Sequence, residues 1–189
     1  MKFPLSPLLV AVMLAGCSTS SNFYQLNVPG PSGTVRTLPK TVVGIAEVDV
    51  ADYLDQPQMV TRLDEEMLHI NETERWAGAL DKNIQQALRT SLARRLPRYA
   101  FVTRPYDEPL DEAYRLYIHV DRFDGDINGT VRFEGRWSLV RIQDNTTVLS
   151  QEIRRRAASE SGFPSIVKTQ AKLVDSVAED IANSLRSKI

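Results

Sequence analysis

Between Val131 and Leu139 every second residue is apolar or small. Val131, Phe133, Gly135, Trp137 and Leu139 alternate with Arg132, Glu134, Arg136 and Ser138. A period of two puts the first set on one face of a strand and the second on the other. The stretch therefore predicts a strand with one buried and one wet face. Leu116 to Phe123 repeats the pattern, with Leu116, Ile118 and Val120 set against Tyr117, His119 and Asp121. Thr147 to Arg156 reads as a third antiparallel strand, which completes a meander. Thr41 to Val50 differs, because Val42, Ala46, Val48 and Val50 share one face while Val43 and Ile45 take the other. Apolar residues on both faces predict an interior strand covered on both sides. Met59–Leu63 and Met67–Ile70 predict a return hairpin, with Asp64-Glu65-Glu66 as its solvated turn.

Elsewhere the period changes to 3.6. Ala77, Leu80, Ile84, Ala87, Leu88, Ser91, Leu92 and Leu96 recur at three- and four-residue steps, and Pro97 stops them. Asp81, Lys82, Gln85, Arg89 and Arg95 occupy the other face, so the segment predicts an amphipathic helix packed on a sheet. Tyr99–Thr103 follows as a short strand, and strand–helix–strand predicts a right-handed parallel crossover. Pro164, favoured in a first helical turn, opens a second helix with Ile166, Val167, Ala171, Val174, Val177, Ala178, Ile181 and Leu185 on one face. The predicted fold is a single α/β domain. It has a mixed sheet, a parallel strand–helix–strand crossover, an antiparallel meander and a C-terminal helix.

The N-terminus follows neither period. Phe3 to Ala15 is apolar but shorter than the ~20 residues of a spanning helix, and it reads as a signal peptide. Leu14-Ala15-Gly16-Cys17 then forms a lipobox: small residues before a cleavage point and a cysteine directly after it. The sulfur takes a diacylglyceryl group and the freed amine a further acyl chain, enough for stable anchoring where one chain is marginal. The chain accordingly divides into a signal peptide over 1–16, a lipidated tether and loop over 17–40, and a domain over 41–189. Within the tether, Ser18–Asn22 is polar and Pro29–Gly33 is a loop. Phe23-Tyr24-Gln25-Leu26 has the character of an edge strand pinning the tether to the domain; the alternative is an exposed aromatic patch facing membrane or partner.

Composition narrows the chemistry. The single cysteine is the lipobox cysteine, leaving no thiol for a disulfide, a zinc site or a nucleophile. A net charge of −1 excludes the Lys/Arg excess of a nucleic-acid binder. Asp124-Gly125-Asp126-Ile127-Asn128-Gly129 matches the first half of a calcium loop, but position twelve falls on Gly135 where a bidentate Glu is needed, so a hairpin turn explains it better. His69 and His119 are isolated and lack zinc-site spacing. Arg154-Arg155-Arg156 reads as a charged strand end, with anionic headgroups as the alternative contact. No nucleophile elbow or phosphate-binding loop occurs. The expectation is no catalytic residue, no cofactor and no metal.

The lipobox, Phe23-Tyr24-Gln25-Leu26, Val50-Ala51-Asp52-Tyr53-Leu54, Arg75-Trp76 opening the helix, and Phe123 followed by Gly129 to Trp137 occur in that order. In this the mature chain resembles the PqiC (YmbA) family of ABC-type transport auxiliary lipoproteins. The resemblance implies an outer-membrane lipoprotein facing the periplasm. It implies two partners, a PqiB-like MCE-domain protein and a PqiA-like inner-membrane protein, with the lipoprotein docking as a ring of copies. Ser18 suits outer-membrane sorting, since Asp there is the usual retention signal. Loops on a rigid scaffold carry binding residues, so the expected partner surface is Asp52 and Tyr53 together with Asp64, Glu65 and Glu66. The alternatives are a lipoprotein activator of a peptidoglycan synthase, an auxiliary lipoprotein of a different transporter, and a lipid-handling enzyme. Cys17→Ser is predicted to abolish incorporation of a clickable fatty acid; label retained on that variant would overturn the anchor assignment.

Overall fold

The computed structural model describes residues 20–32, 41–105, 111–126 and 129–188. Cys17, the signal peptide and Ile127-Asn128 of the presumed turn lie outside them. The alternating segments form the middle of one mixed sheet. The strand expected from Leu116 extends over fifteen residues, Glu112–Asp126. It becomes β7 once the shorter strands before it are numbered: β1 (Asn22–Tyr24), β2 (Thr41–Ile45), β3 (Asp49–Val50), β4 (Gln58–Arg62), β5 (Leu68–Trp76) and β6 (Tyr99–Thr103). One edge of β7 pairs antiparallel with β8 (Thr130–Arg141), and β8 pairs with β9 (Thr146–Ala158). The other edge takes β2, β3 and β4 in succession, all parallel. Strand β6 lies parallel outside β2, β5 antiparallel outside β4, and β1 parallel against the end of β5. Helices α1 (Leu80–Arg95) and α2 (Phe163–Lys188) pack on each other and on the sheet. The α/β class, the meander and the C-terminal helix are therefore present; the parallel crossover joins β2 to β6 through β3, β4, β5 and α1, because the strand directly before α1 is β5, which runs antiparallel to β6.

The expected strand from Thr41 to Val50 is in fact two strands. To reach the next stretch of β7 the chain leaves β2 at Ile45 and rejoins as β3 at Asp49. Ile45 O still accepts the Arg104 amide at 2.9 Å, and a buried side chain adds donors around the step. Gln85 on α1 donates from Nε2 to the oxygens of Ile45 (3.1 Å), Ala46 (2.8 Å) and Arg104 (2.9 Å). An amide thus sits on the inner side of a helix where periodicity placed it outside, and its buried nitrogen is satisfied by these backbone carbonyls. Coverage of β2 is also uneven: Val43 and Ile45 are fully buried, while Val42 is half-buried.

Arg75-Trp76 does not open the helix. These residues end β5, where the Trp76 amide donates to Pro57 O (2.8 Å) and the Ala77 amide to Tyr24 O (2.7 Å). Gly78, at φ +102°, turns the chain, a conformation that side chains disfavour, and α1 starts at Leu80. On the helix pair, Asp175 of α2 accepts from Ser91, Arg94 and Arg95 of α1. Burial pushes its carboxyl up, but the bonds from Arg95 and Ser91 outweigh burial and hold it below the usual carboxylate range.

The register of β7 slips by one residue at Asp121, between Val120 and Arg122. This bulge changes the phase of burial: Leu116, Ile118 and Val120 face the core before it, and Phe123 after it. Opposite the bulge a Cβ at Gly135 would lie 2.1 Å from the His119 carbonyl oxygen, so only glycine lets the strands close there. Trp137, 2% exposed, is in the core with Phe133 and Leu139, as the alternation requires. Trp137→Ala is predicted to cost about 3–5 kcal/mol by chemical denaturation; a loss below about 1 kcal/mol would contradict its place in the core.

Candidate anchoring and docking surface

Beyond the bulge, the outward face of β7 carries Arg122 and Asp124, with Arg132 opposite on β8 and Arg62 beside them on β4. Asp124 is completely buried by the groups around it. Arg122 Nε donates to its Oδ1 at 3.0 Å, Arg62 Nη2 to its Oδ2 at 3.4 Å, and the Tyr53 hydroxyl to Oδ2 at 3.3 Å. A buried carboxylate is tolerable only with such partners. Burial, reinforced by the negative charge of Asp124, pushes the Tyr53 hydroxyl up to about 12.

The same arginines hold the hairpin between β4 and β5. Glu65 accepts from Arg122 and Arg132, each at 3.2 Å, and the Arg122 hydrogen bond, with the Arg132 charge, keeps its carboxyl below the usual range. Arg62 Nη1 donates to Glu65 O at 2.8 Å, and Asp64 Oδ1 accepts the amides of Glu66 (3.0 Å) and Met67 (2.7 Å). The expected solvated turn is thus exposed but fastened to the sheet. Of the residues expected to meet a partner, Tyr53 points inward to Asp124, whereas Asp52, Asp64, Glu65 and Glu66 are exposed. Asp124 ties the two segments into one surface. Sequence reading missed that hub, because Asp124-Gly125-Asp126 looks like a turn and its burial depends on the bulge.

His119 and the arginine run take these places. His119 lies between two carboxylates, Nδ1 against Asp49 and Nε2 at 2.9 Å from Asp121. Both carboxylates are largely exposed, at 72% and 55%, so the ring is a hydrogen-bonded surface group. Among the described residues no group of three His, Cys, Asp or Glu could hold a metal. In the arginine run, Arg155 pairs with Asp180 of α2 and serves the fold, while Arg154 and Arg156 are exposed.

At one edge of the sheet lies β1. Tyr24 donates to Glu74 Oε2 at 2.7 Å, Asn22 donates to Oε1 at 3.0 Å, and the Tyr24 ring lies 6.4 Å from Phe163. Burial first, then the Glu74 bond and charge, push the Tyr24 hydroxyl up to about 12. Leu26 and Val28 are in the core, and Arg94 Nε donates to Pro29 O at 3.1 Å. The expected edge strand is therefore present, and the segment after it belongs to the domain's packing. Phe23 remains 66% exposed. Among the described residues no helix is long and apolar enough to cross a membrane.

Asp124→Ala is predicted to cost about 3–5 kcal/mol, because Arg62 would lose its carboxylate and Arg122 would keep only the exposed Glu65. Urea denaturation measures it; an unchanged midpoint would show that the hub contributes nothing to stability.

Solved structures share this architecture. A protein of uncharacterised function is 21% identical, with a TM-score of 0.74 over 88% of this chain and 99% of that one. A protein of Xanthomonas campestris is 17% identical, with a TM-score of 0.68 over 89% of this chain and 100% of that one. At such identities the likeness is one of fold. No curated protein matches the chain. The model of one protein family covers residues 24–182, from the end of β1 into the last turns of α2, and on that match the chain belongs to the ABC-type transport auxiliary lipoprotein components.

Proposed function

We propose that this protein is the outer-membrane lipoprotein of an MCE-type, PqiABC-like lipid transport system. In this reading residues 1–16 are removed, lipid on Cys17 holds the protein at the periplasmic face, and the domain docks to a PqiB-like MCE protein. That protein works with a PqiA-like inner-membrane subunit, and copies of this chain form the ring on which the bridge ends. The protein acts as a structural subunit and not as an enzyme. The observation that carries the reading is the position of β1: it is fixed on β5 only a few residues after the lipobox cysteine. A domain on so short a leash works at its own membrane, where the end of a lipid bridge must be received. An activator of a peptidoglycan synthase has to reach through the cell wall, which favours a long spacer.

Of the two acidic segments, the turn at Asp52–Asp55 is the better contact for the protein partner. Asp52 and Asp55 are exposed on the flank of the sheet, while Glu65 is committed to Arg122 and Arg132. Charges at the rim of an interface act mainly through the rate of encounter. Asp52→Lys with Asp55→Lys should therefore reduce photo-crosslinking to the MCE protein in intact envelopes, with thermal melts unchanged. His119→Ala should leave crosslinking and envelope integrity intact. A well-folded His119→Ala protein that crosslinks fully yet behaves as a null would contradict the docking role and favour an enzymatic one.

A further inference from the structure

The described residues expose large apolar side chains in an uneven way. Phe23 (66%), Met67 (54%), Ile70 (46%) and Leu63 (41%) all lie on β1 or the β4–β5 hairpin, and Tyr117 (41%) lies elsewhere. A concentration of exposed apolar groups on one edge marks an interaction surface. The path of the chain indicates which surface it meets. Strand β1 runs parallel to β5, with Asn22 opposite Glu74, so the chain enters β1 from the side on which Leu68 and the hairpin tip lie. At about 3.3–3.6 Å per residue, the segment from Cys17 to Asn22 reaches at most roughly 18 Å. The span of β5 from Glu74 back to Leu68 is about 20 Å on the same scale.

We infer that this edge rests on the bilayer that holds the Cys17 lipid, with Leu63, Met67 and Ile70 entering the interface. The inference rests on the anchor in the proposed function. If the leash extends along its strand, the lipid-bearing sulfur comes nearly level with Leu68, and the tip beyond it, with Leu63 and Met67, meets the membrane. If the leash is bent, the bilayer lies closer still to β1 and covers Phe23 and Ile70. Either geometry brings the apolar edge to the lipid. The tip's charges fit a surface rich in phosphatidylethanolamine, whose ammonium groups suit Asp64 and Glu66; Glu65 is already neutralised by Arg122 and Arg132. This contact assigns the tip to lipid and leaves the Asp52–Asp55 turn for the protein partner.

The test uses the full lipidated chain. Its one native cysteine is Cys17, so a thiol introduced by Met67→Cys or Ile70→Cys can be labelled uniquely with an environment-sensitive nitrobenzoxadiazole dye. Gln143→Cys, in the turn between β8 and β9 at the opposite end of the sheet, is the control. The proteins are reconstituted into vesicles of phosphatidylethanolamine and phosphatidylglycerol carrying a shallow spin-labelled lipid. The expected result is blue-shifted, quenched emission at positions 67 and 70 and water-like, unquenched emission at 143. Water-like emission at 67 and 70 in protein that floats with the vesicles overturns the inference. So does a blue shift without quenching, which would place a second protein surface on the tip. Protein that carries no fatty acid and fails to float overturns the anchor itself, an outcome that flotation and lipid labelling separate from the others.

Discussion

Everything in this sheet depends on pairing a fifteen-residue strand along both of its edges. A backbone amide or carbonyl buried without a partner costs as much as a lost hydrogen bond. One edge of β7 is satisfied by β8 along almost its whole length, the other by three short parallel strands in turn. Each transfer between those short strands breaks the chain's direction, and each break needs its own solution. Gln85 reaches the carbonyls at the first. At the second, the turn at Asp52–Leu54 buries Leu54 and aims Tyr53 at Asp124. The acidic turn and the hairpin beyond it, the two candidate contact segments, are by-products of this stepping.

The bulge at Asp121 belongs to the same constraint. It lets a long strand coil while its partner stays paired, and Gly135 is the concession on the partner strand. By shifting the phase of alternation it sends Phe123 into the core and leaves Arg122 and Asp124 on the other face. There they meet Arg62 and Arg132 from two neighbouring strands, and the charges that clamp the hairpin are assembled from three parts of the sequence.

What could be read from the sequence follows from this. The strand from Val131 to Leu139, the burial of Trp137 and the apolar face of α2 rest on local periodicity, which a one-dimensional pattern carries in full. The edge strand at Phe23-Tyr24 was legible from residue type and order. The break between Ile45 and Asp49 was not, because it answers to the position of β7, far along the chain. Trp76 looked like a helix start because only Gly78 and the pairing with β1 and Pro57 show that the strand continues to it. Asp124 looks like a turn carboxylate for the same reason: its two arginines, Arg62 and Arg122, meet it only in the folded sheet.

Function follows from where the fold puts its N-terminal end. The family is one of auxiliary lipoproteins of transporters, and here the first strand after the lipobox is hydrogen-bonded into the sheet. In the proposed function, with the lipid on Cys17, that makes the domain a fixture of the anchoring membrane and not a particle on a long tether. The proposed anchoring therefore depends most on the gap between bilayer and protein. Neutron reflectivity of the lipidated protein on a supported bilayer measures that gap. Protein density should begin directly at the headgroups, with no intervening water layer. A hydrated gap wider than the roughly 18 Å that the leash from Cys17 to Asn22 can span would contradict the account.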